Sequence, residues 1–580
     1  MTEQASRAPL VALVVGPNST YAAGPGLAET WPRAELASRV AAVSARSHPR
    51  WVIWSADSSL REVVSAGVDP ARTWDLAEAH LIIHGGSGAS PGRVVAGCRG
   101  LAEGDVPPPR PHRLAGFDDD LFDVAAGGPG EETALTGTGH LRADALTGWA
   151  TTPERLREIA ALALECQAHQ EESLRAIGGD RAERMIRTVW SESAAAVLCL
   201  ELERDGLPVD RLAAEDLIGA AAGPRPTDEA DAARIRAQRD HVVVRHAPGR
   251  GRVDLRNPAQ VKDLLASAGV RTPTTRAWVL EPYRDTHPLV DALLTWRKDE
   301  RIATTYGYRW LDEHVGADDR LRGTWTVCDG AAGRMTAQHG LHNLPTPLRP
   351  AIRAAPGHVF VRADLGQVEP RVLAVVSSDP ALAEATRSDD LYAPVAATLG
   401  VARPLAKVAV LAAMYGQRSG AAGEALTGLE RAYPVAMRLL DATYARGVAR
   451  EPIRTFGGRL IRLDPAAPDA AASSEPSGIP DRSEGARGRY ARNAIIQGSA
   501  AELFKAWAAT VRHEVAPLRG QIVLCLHDEL LVHVPEERAR EASRAVEQSL
   551  TAAARRWAET DRVRFVVDIA IVRRWSDAKD

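Results

Sequence analysis

No uninterrupted apolar run in the 580 residues reaches membrane-spanning length, and Met1 to Tyr21 lacks the charged-then-apolar pattern of a signal peptide. Neither a membrane-spanning nor a secreted protein is indicated, and a cytoplasmic location is the default expectation. Cysteine is scarce. The five (Cys98, Cys166, Cys199, Cys328 and Cys525) are scattered and odd in number, with no C-x-x-C spacing, so neither a disulfide framework nor a zinc site is indicated, and they read as small core residues. Lysine is rare as well: the cations are overwhelmingly arginine, the signature of a GC-rich genome rather than of a function. No convincing internal repeat is present. The net charge of -4 argues against a uniformly basic coat, but binding to nucleic acid depends on local clusters of cations, so that class stays open.

What is present is an ordinary soluble composition, 45% hydrophobic and 25% charged, in a chain too long for one core. Domain-size priors predict about three to five units. Residues 1 to about 175 open with strand-like runs at Leu10 to Val15 and Arg50 to Trp54 that alternate with helix-like segments, as in an α/β unit. A Gly/Pro-rich acidic interval, 104–132, reads as a loose connector, and 464–488, rich in Ala, Ser, Pro and Gly, as a surface excursion. Between Thr152 and Arg204 the pattern is helical, stopped by Gly206 and Pro208.

Chemistry concentrates in three places. The run Val523 to Val534, VLCLHDELLVHV, predicts a β-hairpin whose tip exposes His527, Asp528 and Glu529 away from the core. Taken alone, such a tip is an ordinary solvated turn as readily as a cation site. A second strand, in HVFVRADLGQVEPRVLAVV (His358 to Val376), ends at Asp364 and is followed by a helical stretch with Glu369 and Arg371. Two carboxylates at neighbouring strand ends could bridge two Mg²⁺ ions about 3.5–4 Å apart, the arrangement used in phosphoryl transfer. The third place is the helix predicted for Ala402 to Gly416, where Arg403, Lys407, Leu411 and Tyr415 stand four apart along one face. Two cations, an apolar residue and an aromatic ring suit a molecule with phosphates at one end and a flat base at the other. A solvated Arg/Lys pair leading into core residues explains this helix equally well by itself.

Together these residues resemble family A DNA polymerases, the group of bacterial DNA polymerase I, in order from about Met185 to the C-terminus. ADLGQVEPR is similar to the family's first palm motif, D-Y-S-Q-I-E-L-R, with Asp364, Gln367, Glu369 and Arg371 in register. R-x-x-x-K-x-x-x-L-x-x-x-Y-G is similar to the fingers helix and HDE to the last palm motif. Gly333 to Met335 and His342 to Pro345 precede the first palm motif, and Arg489 to Lys505 the last, as in the family.

The resemblance implies a DNA-templated DNA polymerase that adds deoxynucleotides to a primer end with release of pyrophosphate. Asp364 and Asp528 would hold two Mg²⁺ ions, with Glu529 a supporting carboxylate. Arg403 and Lys407 would grip the nucleotide phosphates, Lys407 also assisting the departing pyrophosphate; Tyr415 would pack beside a base, and Glu369 would crowd the sugar 2′ position. Gln367, Leu411 and Tyr392 complete the nucleotide site. Arg334, Asn493 and Gln497 would touch the minor groove of the primer-template, with Arg489 in support and His527 near the primer terminus. Partners would be primer-template DNA and deoxynucleoside triphosphates, with no membrane, and the chain would act as a monomer.

The implied fold is multidomain, α/β plus α+β: a degenerate 3′–5′ exonuclease-like domain of RNase H-like fold at 1–180, thumb and start of palm at 181–320, palm at 321–379, fingers at 380–490 and palm again at 491–580. No 5′ nuclease domain is expected. The first strand carries no acid, and Asp57 and Asp75 are isolated, so proofreading is expected to be absent. Departures from the family are Leu411 for an aromatic residue, Tyr392 for a histidine, Leu365 for a tyrosine and Pro370 for a leucine. Two rival readings remain open here: a single-subunit RNA polymerase, which Glu369 opposes, and a primer-template-binding scaffold without catalysis.

Overall fold

The computed structural model describes residues 8–86, 88–108, 133–247, 253–330, 332–416, 422–463 and 483–578. Most of the two loose segments, 109–132 and 464–482, therefore lies outside the described residues. The chain divides into two compact units: Met1–Arg204 with Trp325–Thr336 and Val361–Ala570, and Asp205–Thr324 with Ala337–Phe360 and Ile571–Asp580.

The first unit begins with a five-stranded sheet. Its centre is Leu10–Val15, an apolar strand buried on both faces, which runs parallel to Arg50–Ile53, itself parallel to Thr73–Asp75. On the other side Ser19–Gly24 and Leu27–Pro32 add antiparallel neighbours. The alternation of strand and helix expected from the sequence holds only after residue 36. Leu27–Pro32 escaped notice because its middle residues, Ala28 to Thr30, are exposed, so the strand has no apolar run. The helical stretch predicted from Thr152 to Arg204 is two helices, Pro153–Gly178 and Ala182–Asp205, separated at Gly179, whose positive φ of 51° ends the first.

This region is bound to the later part of the same unit by buried ions and carbonyls. Lys505 Nζ donates to Glu192 at 2.5 Å, and Arg459 Nη2 lies 2.7 Å from the same carboxylate. Arg454 donates to the carbonyls of Ile82 and Ile83, both at 3.1 Å. That shared interior explains why fewer separate units form than chain length alone suggests.

A four-stranded sheet carries the predicted acids, in the order Gln521–Leu526, Glu529–Pro535, His358–Gly366, Val566–Val572. The long helix Glu484–Val515 packs against the helices Val368–Ser377, Arg403–Tyr415, Pro434–Val448 and Ala539–Ala558. Its N-cap is Ser483, which accepts from the Ala486 amide at 3.3 Å, so residues 484–488 are a first helical turn rather than part of the surface excursion.

The second unit is mainly helical. Its apolar core joins Pro258–Ser267 and Pro288–Thr305, the two segments whose sequence resembles a thumb, through Val261, Leu264, Leu265, Leu289, Leu293 and Leu294.

Candidate active site

The HDE segment forms the predicted hairpin. Leu526 pairs with Glu529, leaving His527 and Asp528 as the turn, and His527 takes a left-handed φ of 56° to close it. The neighbouring strand His358–Gly366 is joined to this turn by a hydrogen bond from the Leu365 amide to the Asp528 carbonyl, 3.0 Å long. Asp364 and Asp528, distant in sequence, thus lie on adjoining chain segments at one end of the sheet.

The expectation that the hairpin's charges stay out of the core fails for Glu529. It is buried, and the reason it can be buried is Arg362, two residues before Asp364 and so on the same face of its strand. Arg362 Nη2 donates to Glu529 at 3.0 Å and to Asp364, while Nη1 donates to Asp568 at 3.1 Å. Burial disfavours the guanidinium charge, but the three carboxylates outweigh it and raise its pKa. Burial likewise pushes the Asp528 carboxyl up, helped by the nearby Glu369 and Glu529. A poorly solvated acid among other acids favours a bound cation, and carboxylate oxygens are the donors Mg²⁺ prefers. Among the described residues no three His, Cys, Asp or Glu side chains form a group that could hold a metal ion by themselves.

A cavity of about 250 Å³ adjoins these acids and gathers many of the predicted site residues: Arg334, Gln367, Glu369, Tyr392, Leu411, Gln497, His527 and Asp528. Glu369, in the first turn of Val368–Ser377, accepts from Arg334 Nη2 at 3.2 Å and from the Tyr415 hydroxyl at 3.4 Å. Burial pushes its carboxyl up as well. Gln367 holds the segment that follows. Its side-chain oxygen accepts from the Leu391 amide at 2.8 Å and its nitrogen donates to Asp390 at 3.0 Å. Asp390 in turn receives Arg403 Nε at 2.5 Å, which fixes the start of the helix Arg403–Tyr415.

Arg371 makes this arrangement rigid. Among the described residues its buried guanidinium has no carboxylate hydrogen-bond partner; it donates to the carbonyls of Gly366, Thr386, Ser388, Asp389 and Arg564 instead. Burial lowers its pKa to about 10. Five carbonyls around one fork pin the loop that presents Asp390.

Of the remaining predicted residues, Lys407, Arg489 and Asn493 are not part of the cavity lining, whereas Tyr392 is. Lys407 is exposed, with no ion-pair partner among the described residues. Tyr392 is buried, and the Arg403 guanidinium stands 5.8 Å from its ring centre. Arg489 packs on Gly416, the left-handed cap of the fingers-like helix, where an added Cβ would sit 2.9 Å from Arg489 Cγ. Asn493 keeps a buried side-chain oxygen without a hydrogen-bond partner among the described residues. Sequence reasoning missed Arg362 and Phe504, the latter a cavity wall. A charged residue inside the apolar run HVFVRADL was the available sign for Arg362.

A sequence model described as DNA polymerase family A matches residues 236–577 of the chain. The chain belongs to DNA polymerase family A. Curated relatives include DNA polymerase I of Chloroflexus aurantiacus, 29% identical over 46% of this chain and 30% of that protein, and the thermostable DNA polymerase I of Thermus filiformis, 28% identical over 53% and 38%. DNA polymerase theta of Caenorhabditis elegans is 27% identical over 53% of this chain and 19% of its own length. The chain thus spans less than two-fifths of each of these relatives. The POL domain of Pol1 from M. smegmatis, solved in complex with DNA primer-template and dNTP, shares the family-A fold with a TM-score of 0.66 at 21% identity, over 100% of this chain and 97% of that one. Among the described residues of this family-A chain no single helix is long and apolar enough to cross a membrane.

Proposed function

We propose that this family-A chain is a DNA-templated DNA polymerase that joins deoxynucleotides to a primer 3′ end and releases pyrophosphate. The observation that carries the reading is the Leu365 to Asp528 hydrogen bond, which brings two acids from separate motifs to one sheet end beside a cavity walled by Leu411 and Glu369. Asp364 and Asp528 are the residues to hold two Mg²⁺ ions. Bound there, such ions would lower the pKa of the primer 3′-hydroxyl and neutralise charge on the departing pyrophosphate.

The protein's own groups position and stabilise. Arg403 and Lys407 meet the nucleotide phosphates with fixed positive charge, and Lys407 is exposed with no ion-pair partner among the described residues. Glu369, held by Arg334 and Tyr415, stands as a rigid wall against a 2′-hydroxyl. Gln367, Tyr392 and Leu411 line the nucleotide side. Arg334, Asn493 and Gln497, supported by Arg489, face the minor groove, whose acceptors are common to all base pairs and permit copying without sequence preference. His527 lies beside the primer end.

We also propose that residues 1–180 form a degenerate, RNase H-like exonuclease domain. Support comes from the central strand Leu10–Val15, which has no acid, and from the committed state of the two aspartates. Asp75 caps the helix Leu76–His84 and accepts from the amides of Ala56, Ala77 and Glu78; Asp57 pairs with Arg61 four residues on. The helical second unit suits a thumb.

Primer extension by the purified chain, with deoxy- and ribonucleotides and with matched and mismatched 3′ ends, tests both readings. Extension by deoxynucleotides alone, without trimming of the mismatch, is expected. Equal use of ribonucleotides would favour the RNA polymerase reading, no extension the scaffold, and removal of the mismatched nucleotide would overturn the loss of proofreading.

A further inference from the structure

The Arg362 guanidinium is surrounded by acid. It is almost wholly buried and bonds Asp364, Glu529 and Asp568, whose side chains are 30%, 7% and 77% exposed. Three carboxylates converge on this one guanidinium, and Asp528 stands nearby. Arg362 makes the Asp364 Oδ2 it engages less available to an ion, because a dication and a guanidinium on one carboxylate repel at close range.

We propose that Arg362 is a positioning residue that competes with divalent ions for Asp364. Resting on the reading of Asp364 and Asp528 as metal-holding acids, this assigns Arg362 two tasks. In the ion-free protein it keeps Asp364 and Glu529 oriented and prevents their mutual repulsion. When an ion arrives, it withdraws from Asp364 and retains Glu529 and the solvent-facing Asp568. Ion binding to the protein alone is therefore weak, and it strengthens when nucleotide phosphates supply additional oxygens.

Mn²⁺ titration of the full chain without DNA or nucleotide, read by electron paramagnetic resonance of the free ion, separates this from a merely structural role. Loss of one positive charge within contact distance predicts that Arg362→Gln binds Mn²⁺ about tenfold more tightly than wild type. Asp568→Asn acts oppositely. Deprived of its exposed partner, the guanidinium leans on Asp364, and Mn²⁺ binding weakens about twofold to threefold; in the Arg362→Gln background that effect disappears. Since Asp568 is exposed, this variant folds and supplies the answer even if the buried Arg362→Gln does not. Unchanged or weaker binding by a folded Arg362→Gln, or unchanged or tighter binding by Asp568→Asn, overturns the proposal. Asp364→Asn distinguishes the two levels of failure: its Mn²⁺ binding should be lost, and binding equal to wild type would remove the metal-site reading and this inference together.

Discussion

Two clusters of charge in the first unit are built from the same residue types and come to opposite ends. In the first, Glu192 meets Lys505 and Arg459, with exposures of 0%, 1% and 2%. Two cations share this one carboxylate, and burial pushes the neighbouring Glu78 and Glu502 carboxyls up. In the second, Arg362 faces Asp364, Glu529 and Asp568, with Asp528 close by, and one side is open to solvent. A closed, balanced cluster fastens two parts of a core. An open cluster, in which three carboxylates converge on one guanidinium and one side meets solvent, is the place proposed above for a cation.

Breaking each cluster should damage a different property. The largest effect belongs to the open one: Asp364→Asn is expected to slow single-nucleotide incorporation by about a thousandfold or more, with DNA affinity preserved by its many phosphate contacts. Gel-based extension and filter binding on one preparation check both halves. In the closed cluster Glu192→Gln leaves Lys505 and Arg459 without their shared counter-ion. Its expected cost is about 3–5 kcal/mol in denaturant unfolding, with the rate per folded molecule retained. Lys407→Ala, a cation outside both clusters, should lower the maximal rate by about a hundredfold with little change in unfolding.

Smaller effects sharpen the contrast. Burial first, then the neighbouring Asp75 and Glu192, push the Glu78 carboxyl up. The folded chain then keeps a proton that the unfolded chain has released, so this group's contribution to stability is greatest at low pH and falls as pH rises from the ordinary carboxyl range through the raised value. Glu78→Gln should flatten that decline in unfolding curves taken across pH. Smallest of all, Leu411→Phe adds a ring to the cavity and should tighten nucleotide binding a few-fold, about 0.5–1.5 kcal/mol if it stacks on the base. Steady-state KM for each of the four deoxynucleotides reads it.

Much of the open cluster was legible because its parts are local. The hairpin turn, the acid ending an apolar strand and the four-residue spacing from Arg403 to Tyr415 each sit within a short window, and local periodicity reports them. Arg362 was visible only as an oddity, since its reason for being buried comes from residues 167 and 206 positions away. The closed cluster was illegible for the same cause: Glu192 and Lys505 are 313 residues apart, and nothing in either neighbourhood announces the other. Edge strands such as Leu27–Pro32 were missed because half-solvated strands need no apolar run.

The central claim is that Asp364 and Asp528 together hold the ions that drive nucleotide transfer. Single-turnover incorporation of one deoxynucleotide, followed as Mg²⁺ is raised, tests it most directly in wild type and Asp528→Asn. The account predicts a saturating rise for wild type and a rate near background for the variant at every Mg²⁺ concentration, with equal primer-template affinity. A variant that follows the wild-type curve would contradict it.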